Sequence, residues 1–170
     1  MIQTTRHLLI LDDDINLSKS LAQEFTDHGY TVVTASKISE IPKEFFDYAL
    51  VDIRLCGEFG LDAIQLIKSN SPTCSLVILS GYGSVSTAVE AMKRGATDYL
   101  TKPASFYEIE KALLGQRIQA DPDFKAPSLS QVEHEYIDFL LTKNEGNITK
   151  TAKDLGLHRQ SLQRKLKKYT

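Results

Sequence analysis

The stretch "HLLILDDDINL", residues 7–17, runs a short apolar segment into three consecutive aspartates. Crowded carboxylates at a strand end repel one another unless something nearby uses them. One use is a hard-cation site, since Mg²⁺ takes oxygen ligands and keeps several waters. Another is a solvated loop that caps the next helix, and Asp14 is placed to accept an N–H from a first helical turn. For Asp12 and Asp13 alone both readings stand. Further residues decide between them. Asp52 closes a second apolar run, "ALVD"; Ser80 closes a third, "VILS", ahead of "GYG"; Lys102 follows "DYLT". A lysine, a hydroxyl and a magnesium-binding acid cluster around one central aspartate form a set suited to a phosphoryl group. The metal bridges and neutralises its oxygens, and the lysine adds a compact positive charge.

The elements that must position these groups are legible as periodicity. Apolar runs at 8–11, 31–34, 48–53, 75–80 and 97–100 predict strands. Leu17, Leu21 and Phe25 recur at helical spacing before "HGY", and Leu61, Ile64 and Ile67 form a second stripe within 60–70. Further helices are expected as a short one ending near Pro42, then at 84–95 and from 104 to about 116. Five strands alternating with helices predict an α/β fold, a five-stranded, parallel, doubly wound and flavodoxin-like sheet. In such sheets ligands gather beyond the carboxyl ends of the strands. The candidate residues fall there.

The 170 residues carry a net charge of only -2, but unevenly. Residues 1–120 hold 11 basic and 15 acidic groups, whereas 147–170 hold 7 basic and 1 acidic. An acidic module followed by a basic one is implied. Two cysteines, Cys56 and Cys74, make neither a disulfide framework nor a metal cluster, and small packing roles are expected for both. No signal-peptide pattern and no apolar run of membrane-spanning length are present, so a soluble, cytoplasmic protein without a membrane partner is expected.

Residues 118–131, "IQADPDFKAPSLSQ", read as a linker between a domain at 1–117 and a small all-α domain at 132–170. The latter holds three helices, at 132–144, 148–156 and 158–169. Ala152 allows close helix approach and Gly156 a tight turn. Leu155, Leu157, Leu162 and Leu166 can fill a small core. That leaves Arg159, Ser161, Gln163, Arg164, Lys165, Lys167 and Lys168 mostly outward. A basic helix after a tight turn suits the major groove of double-stranded DNA.

"LILDDD", "ALVDIRL", "VILSGYG" and "DYLTKP", in order and in register over about 115 residues, resemble the receiver domain of bacterial two-component response regulators. The resemblance implies that Asp52 accepts a phosphoryl group from a sensor histidine kinase. It implies that Asp13, Asp52 and the Arg54 carbonyl hold Mg²⁺, with Asp12 acting through water, and that Ser80 and Lys102 contact the phosphoryl group. It further implies a cis Lys102–Pro103 bond, and a switch in which Ser80 moves inward as Tyr99 turns. The face formed by helix 84–95, strand 97–100 and helix 104–116 would then dimerise. One departure stands out: Cys56 occupies a position where many receivers have proline, while Gly60 matches the usual glycine.

The tail resembles the helix-turn-helix of the factor for inversion stimulation (Fis). By residue matching, Arg159, Ser161, Gln163 and Arg164 would be the main recognition contacts, with Asn147 and Thr149 touching the backbone near the first helix; Lys167 and Lys168 are either phosphate contacts or simply solvent-facing. Such tails dimerise through the preceding helix, here a face with Tyr136, Phe139 and Leu140. No GxxxxGK occurs, which argues against an intervening ATPase domain. A receiver joined directly to this tail is similar to the RegA, PrrA and ActR group of global regulators. The expectation is a transcriptional response regulator, not an enzyme, that forms a homodimer on phosphorylation. The alternative is a phosphorylation-dependent protein-interaction switch whose tail dimerises or docks without a promoter of its own.

Overall fold

The computed structural model describes residues 6–81, 84–116 and 128–168. Contacts divide the chain into two compact units, Met1–Phe124 and Lys125–Thr170. In the first, five strands pair in parallel in the order β2-β1-β3-β6-β7: β1 (Arg6–Leu11), β2 (Tyr30–Ala35), β3 (Tyr48–Asp52), β6 (Ser75–Ser80) and β7 (Asp98–Thr101). The chain leaves β1 for β2 on one side and returns to β3 on the other. The gap between the carboxyl ends of β1 and β3 is therefore the switch point where a doubly wound sheet opens a crevice.

Alternation along the strands sorts two cores. Leu9, Leu11, Ala49, Val51, Leu76 and Ile78 face α2 (Leu61–Asn70) and α3 (Val85–Lys93), through Leu61, Ile64, Ile67 and Ala91. Leu8, Ile10, Leu50, Val77 and Leu79 face α1 (Ile15–Asp27) and α4 (Phe106–Leu113), through Leu21, Phe25, Ile109, Ala112 and Leu113. Both sheet faces are covered, which is why the strands read as continuous apolar runs rather than as alternating ones. Asp14 caps α1, accepting from Asn16 N at 3.1 Å and Leu17 N at 3.0 Å. A Ser105–Glu108 capping box starts α4.

Two features differ from the pattern expected between β2 and α2. The short helix ending near Pro42 is one 3₁₀ turn, Ile38–Glu40. Pro42 disfavours helical backbone at the residue before it, and Ile41 is accordingly extended at φ -65°, ψ 118°. The loop after Asp52 contains a small antiparallel hairpin, β4 (Arg54–Leu55) and β5 (Glu58–Phe59), with Gly57 at φ 77° in its turn. Cys56 sits exposed at the tip, and Cys74 is buried, its thiol pushed up to about 12 by that burial.

The second unit holds α5 (Leu129–Lys143), α6 (Ile148–Asp154) and α7 (Arg159–Lys168). α5 begins before the expected 132, because Ser128 and Gln131 form a capping box. Ile137, Ala152 and Leu162 are the buried core, with Leu141, Ile148, Leu155 and Leu166 packed around them. Gly156 (φ 68°) ends α6: its N–H reaches Lys153 O and the Leu157 N–H reaches Ala152 O, a Schellman closure. Among the described residues no helix is long and apolar enough to cross a membrane.

Leu162 is fully buried in a core of few members. Leu162→Ala is expected to cost about 2–5 kcal/mol, the usual range for such truncation. In the full chain this should appear as loss of amide-exchange protection confined to α5–α7, with protection of the β-sheet retained.

Candidate functional site

Four of the five sheet strands each deliver one group at the carboxyl end. Asp12 follows β1, Asp52 ends β3, Ser80 ends β6 and Lys102 follows β7. The Lys102 ammonium donates to Asp12 Oδ2 at 2.8 Å and to Asp52 Oδ2 at 3.0 Å. The main chain places it there, since Lys102 N donates to Ser80 O at 2.7 Å; the Lys102–Pro103 bond that follows is cis. Asp12 is held from behind by Asp14 N, which donates to its Oδ1 at 2.9 Å. Asp52 Oδ1 accepts from Arg54 N at 3.3 Å, so each carboxylate oxygen of Asp52 faces a different donor.

Asp12 and Asp52 are buried, at 4 % and 8 % exposure, while Asp13 stands in water at the rim. Burial is the main reason the Asp52 carboxyl is pushed above its usual range; the Asp12 charge adds to this and Lys102 opposes it. For Lys102, burial works against the charged form, but the bonds and charges of Asp12 and Asp52 outweigh it and hold the ammonium above its ordinary value.

The donor set fits a hard divalent cation. Asp12, Asp13 and Asp52 each offer an oxygen, and these oxygens lie within 4.8 Å of one another. Three carboxylates facing one lysine leave the crevice two charges negative, the deficit a divalent ion removes. Ser80 lies buried at the floor. Tyr99 pairs with Ile78 across the sheet and packs half-buried against the core that includes Ala91 of α3.

In the second unit, Arg159, Arg164, Lys167 and Lys168 are exposed, and Ser161 and Gln163 half-exposed, on α7. Lys165, also half-exposed, pairs with Glu133 of α5 at 2.5 Å. Gln160 was not singled out from the sequence, yet with Gln163, Arg164 and Lys167 it lines one surface patch. Its signal was available as the i, i+3, i+4, i+7 spacing of one helix face. Asn147 and Thr149 are exposed at the start of α6, and Asn147 also caps that helix, accepting from Lys150 N at 3.0 Å. Leu140 does not belong to an outer apolar face: it is buried, and its carbonyl accepts from Asn144 N at 2.9 Å. Tyr136 remains 45 % exposed, with its ring stacked near that of Phe139.

Comparison with known proteins is decisive. Residues 8–114 match the response regulator receiver domain family, and residues 128–169 match the bacterial regulatory protein, Fis family. The chain belongs to the response regulators. Over 169 residues this regulator is 38% identical to the photosynthetic apparatus regulatory protein RegA of Cereibacter sphaeroides, covering 96% of this chain and 91% of that one. It is 35% identical to the acid tolerance regulatory protein ActR of Rhizobium meliloti, covering 99% and 89%. A crystal structure of a response regulator from Burkholderia pseudomallei, with a phosphorylated aspartic acid, calcium ion and citrate, matches at 33% identity. The TM-score is 0.63, with 94% of this chain and 97% of that one covered. This regulator is thus a phosphorylation-regulated, DNA-binding transcription factor with a metal-type carboxylate cluster. It is not an enzyme that turns over an outside substrate.

The raised Asp52 carboxyl has a thermodynamic sign. A carboxyl whose folded-state value exceeds its unfolded one binds more protons when folded, so it lowers stability as pH rises through that window. At pH 7 and without metal, Asp52→Asn should therefore melt above the wild type. The gap should close as pH falls below about 3.9, where both forms are neutral. Thermal melts in EDTA at several pH values check this. Adding Mg²⁺ should stabilise the wild type more than the variant.

Proposed function

We propose that Asp52 is the phosphoryl acceptor, that Mg²⁺ is the resident cation, and that acceptance promotes pairing of two chains on double-stranded DNA. The carrying observation is the Lys102 ammonium set between the buried carboxylates of Asp12 and Asp52, with the exposed Asp13 beside them. Asp12, Asp13, Asp52 and the Arg54 carbonyl are the groups that would hold the ion. When bound, it supplies charge neutralisation for the phosphoryl oxygens.

The residues of the chain do the rest. A carboxylate oxygen of Asp52 attacks the phosphorus of a phosphohistidine on a sensor kinase. An O–P bond forms, the P–N bond breaks, and its electron pair leaves on the imidazole nitrogen. Lys102 then exchanges its bond to Asp52 for one to a phosphoryl oxygen, and Ser80, at the end of the neighbouring strand, offers a hydroxyl to another. Because Tyr99 lies on β7 beside β6, its ring follows the rearrangement at Ser80 and repositions the face formed by α3, β7 and α4. Val85, Val89 and Met92, spaced along one side of α3 and exposed at 82 %, 47 % and 48 %, give that face an apolar stripe for a second copy. Pairing of an activated receiver, though not the face used, has support in a solved relative, the beryllofluoride-activated NtrC4 receiver domain dimer, 33% identical with a TM-score of 0.56.

Pairing matters because one α7 makes few contacts, whereas two linked copies raise effective concentration on adjacent half-sites. Arg159, Ser161, Gln163 and Arg164 would meet the groove. Asn147, Thr149, Lys167 and Lys168 would meet the phosphate backbone. A cytoplasmic location follows from both partners.

The test is fluorescence anisotropy on candidate promoter fragments at one fixed salt, with random duplex as competitor and with or without beryllofluoride and Mg²⁺. The wild type should gain sequence-selective affinity on activation, and Asp52→Ala should not. An Asp52→Ala protein that gains as much on treatment with acetyl phosphate overturns the assignment. Lys167→Ala should weaken binding alike on all sequences and reduce the salt slope by about 1.

A further inference from the structure

The loop after Asp52 poses a mechanical problem. It must hold Arg54 against the acceptor, because Arg54 N donates to Asp52 Oδ1 at 3.3 Å, and on the proposed reading the Arg54 carbonyl would be one of the groups that hold the cation. Its only regular structure is the β4–β5 hairpin, with Arg54 opposite Phe59 and Leu55 opposite Glu58. Two residues per strand are too few for such a hairpin to order itself in water. The turn gives limited help. Gly57 adopts φ 77°, but Cys56 before it has none of the φ restriction that proline would impose at that turn position.

Beyond the packing of Leu55 and Phe59 on the core, a polar restraint comes from a side chain. Glu58 reaches out of the hairpin and its Oε2 accepts from Ile38 N at 2.8 Å, in the 3₁₀ turn that follows β2. That turn is itself anchored, since Ile38 and Ile41 pack on the same core as Leu55 and Phe59. At the hairpin's base Gly60 N donates to Ile53 O at 2.7 Å. A path of contacts thus runs from the body of the sheet through Glu58 to the hairpin, and through Arg54 to one oxygen of Asp52.

We propose that Glu58 is a positioning residue for metal binding and phosphoryl acceptance, bolting the hairpin to the Ile38 turn and so fixing Arg54 against Asp52. The role rests on the reading of Asp52 as acceptor, and it requires only an oxygen acceptor at residue 58, not a negative charge. A glutamine serves equally well, since its carbonyl accepts the same N–H.

The experiment uses the full chain as wild type, Glu58→Ala, Glu58→Gln and the double variant Cys56→Pro/Glu58→Ala. Mg²⁺ affinity is read by isothermal titration calorimetry, phosphorylation rate with acetyl phosphate, and folding by circular dichroism. Glu58→Ala should weaken Mg²⁺ binding about tenfold, the scale typical of groups that orient metal ligands, and slow phosphorylation in parallel while remaining folded. Glu58→Gln should stay within about twofold of wild type, and proline at 56 should restore most of what Glu58→Ala loses. Should Glu58→Ala not fold, Glu58→Met, which keeps the apolar stem without the acceptor, replaces it. The proposal is overturned by an acceptor-less variant within twofold of wild type. It is equally overturned by Glu58→Gln falling as far as alanine, or by Cys56→Pro restoring nothing. An Asp52→Ala protein phosphorylated at the wild-type rate would instead remove the acceptor reading, and leave the calorimetric result for Glu58 standing.

Discussion

One ammonium between two buried carboxylates is the contact on which the receiver depends. Lys102 reaches Asp12 from ninety residues away in sequence and Asp52 from fifty. Without it the sheet would hold two ionised acids side by side at low exposure, which desolvation and mutual repulsion both oppose. With it the crevice is tolerable but still negative, and that remaining deficit gives the site its chemistry. A fully neutralised crevice would have no call for a divalent cation, and a fully exposed one would let water weaken every interaction the phosphoryl group makes.

Close backbone approach completes the site. A Cβ on Gly60 would lie 1.9 Å from the Asp52 carbonyl oxygen, so the chain returning from the hairpin passes directly against the residue it serves. Gly60 is needed there for its lack of volume, since its own backbone is ordinary helical at φ -57°, ψ -22°. Gly57 is needed for the opposite reason, its positive φ. Two glycines three residues apart thus solve different problems in one loop, one steric and one conformational.

The DNA-binding unit obeys different economics. Among its described residues Ile137, Leu140, Ala152 and Leu162 are the buried apolar side chains, so its helices depend heavily on their ends. Asn144 donates to both Thr151 and Asp154, at 3.2 and 2.8 Å, tying the end of α5 to α6. Lys165–Glu133 ties α7 back to α5. Every basic side chain not drawn into such a tie can face outward, which concentrates positive charge on α7. The receiver gathers negative charge into a crevice; the tail spreads positive charge over a surface.

Much of this was legible in the sequence because it is local. Covered parallel strands must be apolar throughout, so 8–11, 48–53 and 75–80 announced themselves. Their carboxyl ends then placed Asp12, Asp52 and Ser80 on one rim, with Lys102 beside them. The basic stripe and the turn at Gly156 were equally plain. Other features depended on distant partners. That the turn at 38–40 stops before Pro42 was legible locally, but that Glu58, twenty residues on, accepts from its Ile38 N–H was not. The surface pairing of Lys165 with Glu133 could not be read from spacing, and Leu140 went inward, its carbonyl near Thr151 of α6. Periodicity and charge report what each segment tends to do alone. Which side chain meets which depends on how the segments pack, and only the tertiary structure brings those hydrogen-bond partners within 3 Å.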